Sequence, residues 1–316
     1  MSIKSVFSKS ALLGGLSVLC AAAASPALAS SGGGGGGGGG ITGGGANGNF
    51  SAVTRGPNPT AFALEQDNGP YNVNTINVSS FVSGFGGGTI FYPTNAGGDM
   101  GLIAVVPGFV SEESSIIWWG QRLASWGFVV ITIDTNSGFD QPDSRATQLG
   151  AALDYVIDRS ESGSDPLFGL VDPNRLGAVG WSMGGGGSLE LSTRRGEVRA
   201  IIPQAPYYAG FNDFENVDAA TFFIACELDA VAPVATNVSP FWFDVPNSTP
   251  KLYVEINNGD HFCANTGNSD EDLLGKIGVS WMKRFIDKDT RFEPFLCPTN
   301  YSAQFNVSEQ RNNCGF

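Results

Sequence analysis

Beyond Phe50 the apolar positions of the chain fall into two textures. Six runs, GLIAVVPG, GFVVITIDT, RLGAVGWS, RAIIPQAP, ATFFIACELD and KLYVEINNGDH, stay apolar residue after residue, which predicts strands buried on both faces, as in a parallel sheet. Two earlier runs, NVNTINVSSF and GGTIFYPT, predict an antiparallel hairpin. Between the strands lie helical patterns: SSIIWWGQRLASWG, PDSRATQLGAALDYVIDRS, GGGGSLELSTRRG, PVATNVSPFWFDV and DEDLLGKIGVSWMKRFIDK. Such alternation predicts an α/β fold: a mostly parallel central sheet with antiparallel N-terminal strands, helices on both faces and no lid. One domain accounts for Phe50 to Asp289. The tail through Phe316 carries Cys297 and Cys314 and is expected to be stapled onto that body, giving a domain over 50–316. No internal repeat is found.

The N-terminus has a different pattern. Lys4 and Lys9 lead into the apolar run ALLGGLSVLCAAAA and then SPALAS, the order of a signal peptide, with cleavage expected after Ala29. A membrane anchor fails on length, because a bilayer span needs roughly 20 apolar residues. A lipid anchor on Cys20 is disfavoured by the bulky Val18 and Leu19 before it. From Ser30 to Asn49 the chain is nearly all glycine, with no side chains to offset the entropy of ordering, so residues 30–49 are expected to be a flexible leader. That leader could act as a tether; a disordered terminus tolerated after export is the simpler reading. The protein is therefore expected outside the cell.

Composition narrows the chemistry. A chain of 316 residues, 42% hydrophobic, can bury a full core, which excludes disorder throughout. Its formal charge is −13, and no cluster of Lys and Arg exists to meet phosphates, so nucleic acid is excluded as a partner. Removing residues 1–29 takes away Lys4 and Lys9 and no acid, leaving −15. The single histidine, His261, excludes a zinc site built on several histidines and a histidine-cluster pH switch. Of the five cysteines Cys20 leaves with the signal, and Cys226, Cys263, Cys297 and Cys314 remain, an even number that reads as two disulfides with three possible connectivities. No CxxC spacing supports a metal site.

The candidate chemistry begins at Gly180-Trp181-Ser182-Met183-Gly184, a G-x-S-x-G placed between a buried strand and a helical run. At such a turn the serine is held in a strained conformation, and the flanking glycines are needed because side chains would strike neighbouring backbone. The Met183 amide and the helix N-terminus then face the place where oxyanion charge develops. A serine hydroxyl needs a base, and His261, 79 residues later and just after the strand KLYVEIN, is the one imidazole available. A carboxylate must orient that imidazole. Asp229 ends the run ATFFIACELD and so stands at the C-terminal sheet edge beside the serine. Asp213 and Asp218 precede a strand, Asp244 closes a helical run and Asp260 adjoins the histidine; Glu227 is the fallback. The loop after GLIAVVPG should supply the second oxyanion amide, assigned to Phe109, whose ring would line the acyl pocket. A bridge from Cys226 to Cys263 would fasten together the loops carrying acid and base, worth at most about 4 kcal/mol by chain entropy; Cys297 to Cys314 would then pin the tail.

RGPNPT, YPTNAGG, VVPGF, SSIIWWGQRLASWGFVVITIDTN, DQPDSR, GWSMGGGGS, PQAPY, FIACELDAVAPV, NNGDHFCANTGNS and GVSWMKRFIDKDTRF carry a resemblance across nearly all of the mature domain. The chain resembles the bacterial cutinase-like polyester hydrolases of the α/β-hydrolase superfamily, particularly the branch with poly(ethylene terephthalate) (PET) hydrolases. The resemblance implies nucleophile Ser182, acid Asp229, base His261 and oxyanion amides from Phe109 and Met183. It also implies the pairs Cys226–Cys263 and Cys297–Cys314, and a cleft lined by Phe109, Trp181, Tyr207 and Phe262. Trp181 matches the PET-hydrolase branch rather than the wider cutinases, which have histidine there. Tyr207 stands where the branch often has tryptophan, and Phe262 is the bulkier, cutinase-like choice. The acidic charge departs from the basic members.

The expected activity is secreted serine ester hydrolysis of polyesters and short esters through an acyl-enzyme, by a monomer without cofactor or membrane insertion, acting at a polymer surface. A lipase or small-ester carboxylesterase shares the same triad. A peptidase is disfavoured by the lack of a gating domain, and a silent binding module by the presence of all three triad residues.

Overall fold

The computed structural model describes residues 51–210 and 214–316. The signal peptide and glycine leader expected before them, and Asp213, lie outside the described residues. The elements are α1 (Ala61–Glu65), β1 (Val73–Val78), β2 (Gly88–Pro93), β3 (Met100–Val106), α2 (Trp118–Ala124), β4 (Val129–Ile133), α3 (Pro142–Glu161), β5 (Val171–Trp181), α4 (Met183–Arg194), β6 (Val198–Gln204), β7 (Ala220–Cys226), α5 (Val238–Asp244), β8 (Lys251–Ile256), α6 (Glu271–Ile286) and β9 (Val307–Asn313).

Among the described residues nine strands form one sheet in the order β1-β2-β4-β3-β5-β6-β7-β8-β9. The pairs β1/β2 and β2/β4 are antiparallel, the run from β4 to β8 is parallel, and β9 closes the far edge antiparallel to β8. The continuous apolar runs follow from this layering. In β3, Ile103 and Val105 pack on one face with Trp119 and Trp281, while Leu102, Ala104 and Val106 pack on the other with Leu149 and Leu189. Neither face meets water, so no polar alternation appears. Each buried aliphatic side chain contributes roughly 1.5–3 kcal/mol relative to exposure.

The helices obey their patterns, with two trimmed. The run from Ser114 to Gly127 was expected to be one helix; it opens with a 3-10 turn over Glu113–Ser115, and α2 ends at Ala124, before Gly127 at φ 99°. α5 is shorter than PVATNVSPFWFDV because the Pro233 carbonyl draws the amides of Thr236 and Asn237 into a turn ahead of it. The tail is more than a staple. Residues 307–313 pair with β8, for example Tyr253 with Arg311, so antiparallel pairing occurs at both sheet edges rather than at the N-terminal edge alone. α1 adds a helix with no counterpart in the sequence pattern; the Thr60 hydroxyl accepts from the Ala63 amide, and Glu65 reaches Lys276 of α6 at 2.6 Å.

The order β4-β3-β5 is what positions the site. β3 is followed on one side by β4 and on the other by β5, and the crevice beyond such a switch point is where open α/β sheets bind ligands. Val106 pairs with Gly180, so the loop leaving β3 and the turn leaving β5 lie side by side.

Candidate active site

β5 ends at Trp181 and α4 begins at Met183, with Ser182 alone between them at φ 56°, ψ −119°. That left-handed conformation costs a residue other than glycine on the order of 1–3 kcal/mol and is retained where the turn is over-determined. The glycines of the motif provide the determination: a Cβ on Gly180 would strike the Gly184 carbonyl, and one on Gly184 would sit 2.5 Å from the Pro107 carbonyl. The Ser182 amide donates to Gln204 at 2.9 Å, and its carbonyl accepts from Tyr207 at 2.8 Å.

His261 follows β8 and reaches back over this turn. Its Nε2 lies 2.9 Å from Ser182 Oγ and its Nδ1 2.7 Å from Asp229 Oδ2, and all three side chains are buried. Asp229 follows β7. Its other oxygen, Oδ1, accepts from the amides of Val231 and Ala232, each at 2.8 Å. Burial by itself would raise this carboxyl; the hydrogen bonds from His261 and those two amides outweigh it and hold the group below the ordinary carboxylate range. An ionised Asp229 favours the proton on Nδ1 and leaves Nε2 as an acceptor toward the hydroxyl. The arrangement can therefore take a proton from Ser182 and return it.

The other acids are placed elsewhere. Glu227 Oε2 accepts from the Asn258 amide at 2.7 Å and braces the turn ahead of His261. Asp260 Oδ1 accepts from the Phe262 amide, Asp244 closes α5, and Asp218 precedes β7 at the opposite sheet edge.

The two expected oxyanion amides flank Ser182. Met183 opens α4, whose first-turn amides have no intrahelical acceptor. Phe109 follows Gly108, where a Cβ would lie 2.9 Å from Ser182 Cβ, so this backbone runs directly against the serine. Around them, Phe109 and Phe262 are 45% and 56% exposed, and Tyr207 is half-buried. Trp181, expected among the cleft aromatics, is instead 3% exposed. Its ring is buried against the site, 5.3 Å from the His261 imidazole and 5.2 Å from Phe262.

Sequence reasoning missed Phe139. This 70% exposed ring, in the loop after β4, meets Phe109 edge to face with centroids 5.6 Å apart. The signal was topological: β4 neighbours β3, so its following loop opens on the same crevice. Cysteine pairing follows the resemblance, with Cα–Cα distances of 5.9 Å for Cys226–Cys263 and 6.1 Å for Cys297–Cys314.

The mostly parallel sheet, the helices on both faces and the strand-turn-helix at Ser182 define an α/β hydrolase. Residues 47–315 match the family model described as PET hydrolase-like, and the chain belongs to that family. It is 52% identical to Lipase 1 of Moraxella sp. over 255 residues, 79% of this chain and 77% of the relative. It is 46% identical over 276 residues to bis(hydroxyethyl) terephthalate hydrolase of Streptomyces coelicolor, covering 87% and 86% of the two chains. Cutinase 1 of Thermobifida cellulosilytica is 46% identical over 264 residues, 83% of this chain and 98% of that one. The protein is a carboxylic ester hydrolase.

Proposed function

We propose that this protein is a secreted serine ester hydrolase that cleaves polyester chains and short esters through an acyl-enzyme. The observation that carries the reading is the continuous chain from Ser182 Oγ through His261 to Asp229, with contacts of 2.9 and 2.7 Å. His261 Nε2 takes the hydroxyl proton as Oγ attacks the ester carbonyl carbon, and the oxyanion is held by the amides of Met183 and Phe109. Collapse expels the alcohol, which receives the proton from His261. Water then attacks the acyl-enzyme, passing a proton to His261, and the second collapse returns that proton to Ser182 and frees the carboxylic acid. Asp229 stays ionised throughout and stabilises the imidazolium. The route needs no cofactor.

The family match and the terephthalate-ester name of one relative support polyester as substrate, and the exposed rings of Phe109, Phe139 and Phe262 offer apolar contact beside the serine. Secretion rests on the signal pattern of residues 1–29; no helix among the described residues is long and apolar enough to cross a membrane. We take the active form to be a monomer working at the polymer surface. The test is release of soluble acids and monoesters from aliphatic and aromatic polyester films by the mature protein, with Ser182→Ala as control; equal release by both would sink the reading. A lipase or small-ester carboxylesterase is the second reading, favoured by the 52% identity to Lipase 1. Chain-length preference on p-nitrophenyl esters, set beside film hydrolysis, separates the two.

A further inference from the structure

The segment DQPDSR, at the start of α3, has no part in the chemistry described so far. Its arginine, Arg145, is fully buried in the second turn of that helix. The guanidinium donates to three backbone carbonyls: Nε to Asp140 at 2.8 Å, Nη1 to Pro107 at 2.9 Å and Nη2 to Gly138 at 3.1 Å. The nearby Asp140 carboxylate is turned to the Ser137 amide and the Gln148 side chain, both at 2.9 Å. Burial pushes Arg145 down to about 10, which leaves it charged at neutral pH. The Asp140 charge offsets only part of that burial, and a buried cation whose hydrogen bonds all go to carbonyls is costly to keep, so what those carbonyls belong to matters.

Two of them bracket Phe109. Pro107 lies two residues before it and is held directly. The Gly138 carbonyl also accepts from the Val110 amide at 2.8 Å, so the residue just after Phe109 is held through the same guanidinium. Val110 needs holding, because a β-branched residue at φ 51° is in a disfavoured conformation. α4 makes room for the arrangement: a Cβ on Gly187 would lie 3.0 Å from Arg145 Cβ.

We propose that Arg145 is a positioning residue for the oxyanion hole: by clamping the backbone on both sides of Phe109 it sets the place of that amide beside Ser182, without touching substrate. This rests on the serine-hydrolase reading above. It separates Arg145 from a residue that only ties α3 to the body, because a misplaced donor weakens the tetrahedral state and leaves ground-state binding alone.

The experiment compares wild type, Arg145→Lys and Arg145→Met on p-nitrophenyl butyrate, with active sites counted by complete fluorophosphonate labelling. It also measures affinity for an alkyl boronic acid, whose serine adduct is tetrahedral. In Arg145→Met kcat is expected to fall about 10- to 100-fold with KM within about twofold, and boronate affinity to fall in step with kcat/KM. Arg145→Lys, which keeps the charge and loses the fork, should fall about 3- to 10-fold. Labelled Arg145→Met that retains kcat and boronate affinity within about threefold of wild type overturns the proposal. If Arg145→Met does not fold, unchanged values in Arg145→Lys overturn it equally. Wild type that neither labels nor hydrolyses ester instead overturns the serine-hydrolase reading, and this inference with it.

Discussion

The indole Nε1 of Trp181 donates to the main-chain carbonyl of His261 at 2.8 Å. The residue just before the nucleophile thus holds the loop that carries the base, joining the ends of β5 and β8. Trp181→Phe keeps most of the packing and leaves that buried carbonyl unpaired, so stability should drop by about 1–3 kcal/mol. His261 would lose one of its restraints, and kcat should fall several-fold with KM little changed. Urea unfolding and steady-state kinetics on a soluble ester measure both. Unchanged kcat in a destabilised variant would show that the hydrogen bond serves the fold alone.

The bridge from Cys226 to Cys263 joins the end of β7, three residues before Asp229, to the loop two residues past His261. Chain entropy for a closed loop of this size allows about 2–4 kcal/mol of stabilisation. The pair Cys297–Cys314 closes only the tail. Replacing Cys226 and Cys263 together by serine should lower both thermal stability and the temperature at which activity is lost, whereas the same change at Cys297 and Cys314 should leave kcat at 25 °C as in wild type. Equal loss of kcat in the two double variants would mean that the first bridge has no special hold on the acid and base.

The parts of this architecture that could be read from the sequence are those where side-chain burial writes a pattern. β3 to β8 lie between two apolar layers and appear as unbroken apolar runs. Only Val307 is buried in β9, and the strand exists through backbone pairing with β8, which no side-chain period reports. α1, with Leu64 its single buried residue, is too short to show a period. At the site, the lone histidine and the strand-turn-helix around Ser182 narrowed the choice to one constellation. The burial of Trp181 was not legible, because adjacency to the serine does not tell which side of the turn receives the ring. Arg145 was not either, since its partners are main-chain carbonyls of two loops far apart in sequence, Pro107 after β3 and Gly138 and Asp140 after β4.

Asp229 carries a pH prediction. Its ordinary value is 3.8, and in the folded chain it lies lower, held there by His261 and two amides against the opposing effect of burial. Between the two values the unfolded chain binds more protons, so this contribution to stability is fully present above the unfolded value and is lost as pH falls through the folded one. Asp229→Asn removes the titrating group. Urea titrations from pH 6 to 3 should show a shallower acid loss in the variant than in wild type; parallel curves would contradict the account.

Far from the serine, Asp287 is buried between two cations, its Oδ1 2.9 Å from Arg175 and its Oδ2 2.5 Å from Lys283. Burial holds Lys283 below the ordinary lysine range despite this partner. Asp287→Asn leaves Lys283 without its paired carboxylate, while Arg175 keeps Asp172 at 2.9 Å, and breaking a buried pair on one side costs about 3–5 kcal/mol. Activity per labelled serine should be retained at low temperature, because α6 and β5 meet here at the edge away from the cleft. Retained stability in the variant would refute the electrostatic role.

Phe139 and Phe109 give the last prediction. The two rings meet edge to face at 5.6 Å, with Phe109 45% and Phe139 70% exposed, an apolar pair left open to solvent beside the serine. An aromatic edge contact is worth about 0.5–1.5 kcal/mol beyond the area it buries, so Phe139→Ala should raise KM for an aromatic diester by roughly 3- to 10-fold. A small ester such as p-nitrophenyl acetate should not reach the ring, and its kcat and KM should stay near wild type. The split between the two substrates is the discriminating readout. A matching loss on both would mean that Phe139 acts by holding the Phe109 loop, and no loss on either would remove the ring from the cleft altogether.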